Sequence, residues 1–400
     1  MEPTTPPLTI RESSPQSEGR FSRFELITWW DQARLSAAKI LVIGAGALGN
    51  EIVKNCAMVG IGNVLVADMD KIENSNLTRS VLFRESDNGK YKADIACRSA
   101  RDIYPAIHAH PFNGNVVHDL GLGVYFWADV IIGGLDNREA RVAINGASMF
   151  AGKTWVDGAI EVLEGVARVF SPGEGPCYEC TMNATDWKML ENRRSCALLT
   201  REQLNEGKVP TTPTTASVIA AVQVQETIKL LHGMSTLAGK GFVFSGLAAD
   251  AYTIAYTRKK DCYAHTRYEK LERLGSGVGD VRFGDLLREA RKALGPSAVI
   301  QLSRDIITAL ECAKCGKVEG VYRSLGKVTE REGRCPSCGD MRIPSTTATL
   351  GLDEGPDIEA LTCDKLGIPL FDVVTARAGE KTISYLFDGD ASKVLGDLAR

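Results

Sequence analysis

The sequence predicts an α/β protein, with a large first domain on a mixed, mostly parallel sheet and a smaller α+β domain after it. Three observations predict this. An apolar run at 39–43 breaks into Gly44-Ala45-Gly46-Ala47-Leu48-Gly49, then passes through an amphipathic pattern into a second apolar run ending at Asp68. That order reads as strand, glycine turn, helix, strand: the βαβ unit of a Rossmann-like nucleotide site. Residues 128–134 form an almost wholly apolar run, as strands buried on both faces of a parallel sheet do. Beyond residue 271 the composition shifts, and Gly275-Ser276-Gly277-Val278-Gly279 marks a linker.

Four hundred residues exceed one compact core, so two or three domains are expected. A net charge of −3 and 44% apolar residues are ordinary for a soluble globular protein and argue against nucleic-acid binding. No apolar run reaches membrane-spanning length, and the N-terminus lacks a basic-then-apolar signal. The expected location is therefore cytoplasmic. Of the eleven cysteines, six fall in C-x-x-C pairs, which in a cytosolic chain point to zinc or redox chemistry.

Residues 1–19, rich in Pro, Ser, Thr and Glu, read as a disordered tail. Residues 20–36 read as a helical arm with Arg20 and Arg23 three apart on one side; on pattern alone it is a basic turn packed by its aromatics. Gly44, Gly46 and Gly49 let the backbone approach a phosphate, and the helix after them offers unpaired N–H groups. Asp68 falls where an acidic residue takes ribose hydroxyls. Gly89-Lys90-Tyr91-Lys92 is expected to start a helix running to about Asp102, and strands are expected at 106–112, 128–134 and, with a turn near Glu164, across 154–170. The strand at 128–134 delivers Asp136 to the carboxyl rim, where ligands of open α/β sheets sit. Asp136 could equally cap the helix that follows. The stretch 181–213 is polar and irregular, with one short helix opened by Thr200-Arg201-Glu202-Gln203. An apolar-faced helix at 215–231 and strand-like residues at 241–257 close the first domain. Past the linker, a helix is expected at 283–293 and strands at 298–302, 368–374 and 381–387.

Taken as an ordered set, these motifs resemble the ThiF/MoeB/HesA-type adenylating enzymes, which include the ubiquitin-activating enzymes. The resemblance spans about residues 20–265. It rests on the glycine loop, Asp68-Met69-Asp70, Ser75-Asn76-Leu77-x-Arg79, Lys92, Asp136-Asn137 with Arg141, the Cys177-x-x-Cys180 knuckle, and Gln225-Glu226-x-Ile228-Lys229. It implies that 37–270 is an adenylation domain that uses Mg-ATP to activate the C-terminal glycine of a ubiquitin-like (β-grasp) protein. A carboxylate meeting a phosphate chain is repelled, so such a site needs cations, a metal and oriented donors more than acid–base groups. Carried over residue by residue, the loop glycines, Asp68 and Asp70 belong to the nucleotide site, with Asp68 on the ribose. Asn76, Arg79 and Lys92 grip the phosphates and Asp136 holds Mg²⁺. In family homodimers the arginine matching Arg23 reaches into the partner's ATP site, which makes the arm a catalytic element.

The resemblance also implies a structural zinc site begun by Cys177 and Cys180. Where the family usually supplies a second C-x-x-C, this chain has Cys262-Tyr263-Ala264-His265, and Cys₃His is a sound tetrahedral set. In the C-terminal domain, 271–400, Cys312, Cys315, Cys335 and Cys338 form C-x₂-C-x₁₉-C-x₂-C, a zinc ribbon at 306–345 by spacing alone. Cys196 stands apart behind Arg193 and Arg194, which favour its thiolate. Its segment, 181–213, matches the family's crossover loop, where thioester- or persulfide-forming members keep their cysteine. A merely exposed cysteine is the alternative. Cys56, Cys97 and Cys363 read as core residues.

The expected function is adenylation of a ubiquitin-like protein followed by thioester formation on Cys196, in a homodimer, with a conjugating enzyme as a further candidate partner. The alternative is a sulfur-carrier adenylyltransferase of the thiamin, molybdopterin or cysteine type, whose adenylate is the useful product. A dehydrogenase fits less well, since nothing after the glycine loop supplies a hydride-chemistry constellation. Elemental analysis of the purified protein should return two zinc ions per chain; a folded, zinc-free protein would contradict both ligand sets.

Overall fold

A computed structural model describes residues 19–173, 175–194, 210–265, 271–324, 327–351 and 356–399. Residues 1–18 of the tail expected at 1–19, Cys196 and the expected short helix at 200–203 lie outside the described residues. The first sheet has eight strands: β1 Lys39–Ile43, β2 Asn63–Ala67, β3 His108–Phe112, β4 Val130–Gly134, β5 Thr154–Glu161, β6 Glu164–Phe170, β7 Lys240–Ser245 and β8 Asp250–Ala255. They run in the order β3-β2-β1-β4-β5-β6-β7-β8. The five from β3 to β5 are parallel, and β6 to β8 continue antiparallel. The chain order reverses at β1, flanked by β2 and β4, which opens a crevice outside the carboxyl ends of these strands.

Alternation of side chains explains the layers. Ile40, Val42, Val64, Val66, Val130 and Ile132 face one side, covered by the helices Ala47–Val59, Lys92–Ile103 and Pro213–Leu231. Leu41, Ile43, Leu65 and Ile131 face the other, against the helices Gly123–Trp127 and Arg138–Ala151. The inner strands β1, β2 and β4, covered on both faces, are almost wholly apolar and legible as runs, whereas the edge strand β3 carries His108 and His110 and β5 carries Asp157.

The second sheet holds β9 Leu271–Arg273, β10 Val299–Glu311, β11 Val318–Ser324, β12 Ile343–Leu350, β13 Val373–Ala378 and β14 Lys381–Leu386. Its order is β11-β10-β13-β14-β9, with β12 along the remaining edge of β10. The helix Phe283–Leu294 packs on it through Phe283, Leu286 and Leu287. The strand expected at 298–302 is longer because β10 serves three partners, β11, β12 and β13.

Three expectations need correction. The strand expected at 368–374 begins only at Val373 and runs to Ala378, because the chain turns before it, with Phe371 at φ +55°. The arm is not one helix: Ser22–Glu25 and Gln32–Ala37 are separate, and Asp31 caps the second by accepting from the N–H groups of Ala33 and Arg34. The 181–213 stretch is not irregular throughout, because Ala184–Arg194 is helical. Asn183 and Asp186 cap it reciprocally, at 2.9 and 3.0 Å, and Leu190 buries its apolar side.

The end of the chain returns to the first sheet. Val394, Leu395 and Leu398 join the core on its second face, and the indole N–H of Trp127 donates to the Leu398 carbonyl at 3.3 Å. A polar clamp stands beside them. Buried Asp372 accepts from the Leu122 N–H and the Ser303 hydroxyl, both at 2.7 Å, while Arg304 donates to the carbonyls of Val117 and Leu120. Among the described residues no helix is long and apolar enough to cross a membrane. Leu395→Ala should therefore cost about 2–5 kcal/mol and lower the melting of the whole protein; unchanged denaturant and thermal midpoints would show that the tail does not complete this core.

Candidate active site

The glycine loop is shaped by backbone contacts. Gly44 has φ +90°, and a Cβ there would lie 2.4 Å from the Gly134 carbonyl oxygen. A Cβ on Gly49 would lie 1.9 Å from the Gly44 oxygen. Gly46 differs, since its Cβ would meet nothing within 4 Å. Two glycines thus let backbone meet backbone, while Gly46 faces open space. Gly46 is also the N-cap of Ala47–Val59, a helix with no side-chain cap and no acid in its first turn. Its free N–H groups and positive dipole end suit an anion. Asn50, fully buried, fixes the loop by donating to the carbonyls of Ala45 and Gly46 and accepting from the Leu82 N–H. Sequence reasoning missed Asn50; the available signal was a polar residue on an otherwise apolar helix face.

Asp68, at the end of β2, accepts from Ala45 N–H at 2.6 Å and from Asp70 N–H at 2.7 Å, one bond to each oxygen. Burial pushes its carboxyl pKa up, against the opposing pull of Lys92 and these two N–H groups. Lys92, the first residue of its helix, pairs with Asp70 at 2.9 Å. Burial works to lower the Lys92 pKa, but the carboxylates of Asp68, Asp70 and Asp136 outweigh it and hold the ammonium above the usual lysine value. The structure therefore brings Asp68, Asp70, Lys92 and Asp136 into one electrostatic neighbourhood at the carboxyl rim. Asp136 is exposed and accepts from the Asn137 side chain at 3.2 Å. Asn137, not Asp136, caps the helix that follows, through Ala140 N–H at 2.8 Å. The capping alternative for Asp136 is thereby removed.

Asn76 and Arg79 share the turn Asn74–Arg79 that follows β2. The Asn76 side chain accepts from Glu73 N–H at 3.0 Å, and Arg79 folds back to donate to the Ser75 carbonyl at 2.8 Å. Arg23 is not part of this cluster within one chain. Phe21 of its turn sits against Gly60 and Tyr104, the C-caps of the helices that begin at the glycine loop and at Lys92. A 13-residue helix, about 20 Å, thus separates the arm from the loop.

Both cysteine groups converge. Cys177, Cys180, Cys262 and His265 offer ligand atoms within 4.8 Å of one another, as do Cys312, Cys315, Cys335 and Cys338. In the first, Sγ of Cys177 lies 3.8 Å from Cys180 and 3.7 Å from Cys262, and Sγ of Cys180 lies 3.3 Å from His265 Nε2. In the second, Cys312 to Cys338 is 3.4 Å and Cys315 to Cys335 is 3.6 Å. A tetrahedron with zinc–sulfur bonds of about 2.3 Å has edges of about 3.8 Å, so both donor sets fit zinc. His265, expected only from its place in the chain, does join the first group.

Comparison with known proteins agrees with this geometry. The ThiF family model matches residues 20–264. The SAMP-activating enzyme E1 of Haloferax volcanii is 30% identical over 242 residues, covering 58% of this chain and 81% of that one. The sulfur carrier protein adenylyltransferase of Thermus thermophilus is 30% identical over 237 residues, covering 58% and 83%. In fold alone, the chain is similar to E. coli MccB, solved with ATP, at a TM-score of 0.52 and 22% identity over 63% of this chain and 75% of that one. With the family model spanning more than half its length, and with the glycine loop, rim and knuckle in place, the chain belongs to the ThiF family of E1-like adenylating enzymes.

Proposed function

We propose that this chain adenylates the C-terminal glycine of a ubiquitin-like β-grasp protein and then holds that protein as a thioester on Cys196, in the cytoplasm and as a homodimer. One observation carries the adenylation step: an uncapped helix N-terminus with Gly46 open to it, beside a rim where Asp68, Asp70 and Asp136 surround a charged Lys92. A dinucleotide site shares the glycine loop and the ribose carboxylate, so it is Lys92 and Asp136 beside them that favour a triphosphate and its cation.

Each residue then has a defined task. Asp68 already accepts one N–H on each oxygen, and its remaining lone pairs take the ribose hydroxyls. The N–H groups of the loop and helix, with Asn76, Arg79 and Lys92, hold the phosphates. Asp136, exposed and free of the capping task, holds Mg²⁺. Bound there, the ion would neutralise phosphate charge. The terminal carboxylate of the substrate attacks the α-phosphorus, a P–O bond forms, and the bond to the departing pyrophosphate breaks. No proton moves, so the residues need only orient and screen charge. In the second step the Cys196 thiolate attacks the activated carbonyl, a C–S bond forms, and AMP leaves. Arg23, a helix length from its own chain's loop, serves the site of the other protomer.

Asp136→Ala should abolish substrate-dependent ATP–pyrophosphate exchange, whereas Cys196→Ala should keep the exchange and lose a thiol-sensitive adduct on non-reducing gels. Full exchange in the first, or a persistent adduct in the second, would refute the assigned role. Adenylate without any adduct in the unmodified protein would favour the sulfur-carrier alternative. Mixing inactive Arg23→Ala and Asp136→Ala chains should restore about a quarter of the sites, because half the dimers are mixed and each has one intact site. No recovery after subunit exchange would remove Arg23 from the partner's site.

A further inference from the structure

A buried charged group lies behind the metal loop, and none of the steps above uses it. Asp157 of β5 is fully buried. Arg141, one turn into the helix after Asp136, donates from Nε to one Asp157 oxygen at 3.0 Å. Arg168 of β6, directly across the sheet, donates from Nε to the other at 2.9 Å. Burying three charges is costly unless every donor and acceptor is used. Three of the five Arg141 donors are placed, by the bond to Asp157 and two more: its Nη2 donates to the carbonyls of Leu135, at 2.6 Å, and Gly158, at 2.9 Å.

Leu135 immediately precedes Asp136. On the other side, Asn137 is fixed as the helix N-cap. The exposed carboxylate of Asp136 is therefore carried on a loop held at both flanks, by Arg141 before it and by the cap after it. We infer that Arg141 is a positioning residue for Asp136, oriented by Asp157, with Arg168 occupying the carboxylate oxygen that Arg141 leaves. Buried behind the loop, it sets the backbone from which Asp136 would reach the cation. The guanidinium meets these acceptors from two nitrogens held in one plane, Nε on Asp157 and Nη2 on the two carbonyls, a spread that the single nitrogen of lysine lacks, so lysine keeps the charge but not the clamp. The inference rests on the reading that Asp136 holds the divalent cation.

The test uses the full chain with R141K, R168K and D136N, titrating Mn²⁺ by electron paramagnetic resonance in the presence of ATP and measuring exchange against Mg²⁺. Binding of ATP in EDTA and thermal melting serve as controls. R141K should raise the half-saturating cation concentration about tenfold, as loss of a partner behind a metal ligand does, with cation-free ATP binding unchanged. R168K should lower melting without that shift. If R141K and R168K lower melting alike and both keep the unmodified cation dependence, Arg141 is only a packing residue and the inference falls. If D136N also leaves the cation dependence unchanged, it is the role of Asp136 that fails. R141Q, neutral with amide donors toward Leu135, replaces R141K if that variant does not melt cooperatively, and the same shift decides.

Discussion

Nothing larger than a hydrogen fits on the α-carbon where β1 gives way to its helix. Gly44 lies against the Gly134 carbonyl and Gly49 against the Gly44 carbonyl, and a Cβ on Gly134 would come within 2.9 Å of the Gly49 nitrogen. Three backbone segments meet there: the end of β1, the first turn of the helix and the end of β4. The rest of the site depends on that contact. It sets Asp68 from β2 on one side of the helix N-terminus and the Asp136 loop from β4 on the other. A methyl group at Gly44 or Gly49 would push these segments apart and separate the positions proposed for the ribose and the cation.

The charge pattern follows from the same geometry. Three carboxylates around one lysine look ill suited to an anionic ligand. In the proposed function the anion is met by backbone N–H groups, a helix dipole, Lys92 and Arg79, while the carboxylates engage hydroxyls and a divalent cation. The buried Arg141–Asp157–Arg168 group extends this order inward. On the same helix as Arg141, Asn145 accepts from the Tyr178 N–H at 2.9 Å, within the cysteine knuckle. One helix thus touches the Asp136 loop at its start and the knuckle two turns later.

Much of this was legible in the sequence, for definable reasons. Buried parallel strands are apolar throughout, so β1, β2 and β4 announced themselves, and the glycine loop between strand and helix marked the crevice. The four ribbon cysteines come in local pairs whose spacing survives without knowledge of the fold, whereas the grouping of Cys177 and Cys180 with Cys262 and His265 was legible only through the family resemblance. What was missed depends on distance in the chain. Asp157 and Arg168 are eleven residues apart and find Arg141 only through the register of β5 and β6. Leu395 and Leu398 look like any apolar tail until the first sheet shows an uncovered patch beside Trp127. The helix Ala184–Arg194 was a local failure: its Asn183–Asp186 cap was there to be read, but weak apolar periodicity hid it.

The most direct test of the account is a product analysis. The full chain is incubated with Mg²⁺, a glycine-terminated β-grasp protein and ATP labelled separately at the α- and γ-phosphates, and the nucleotides are separated. The account predicts AMP and pyrophosphate in equal amounts, dependent on the partner's terminal carboxylate, with α-label carried transiently by the partner. Release of ADP and orthophosphate, with no α-label on the partner, would contradict it.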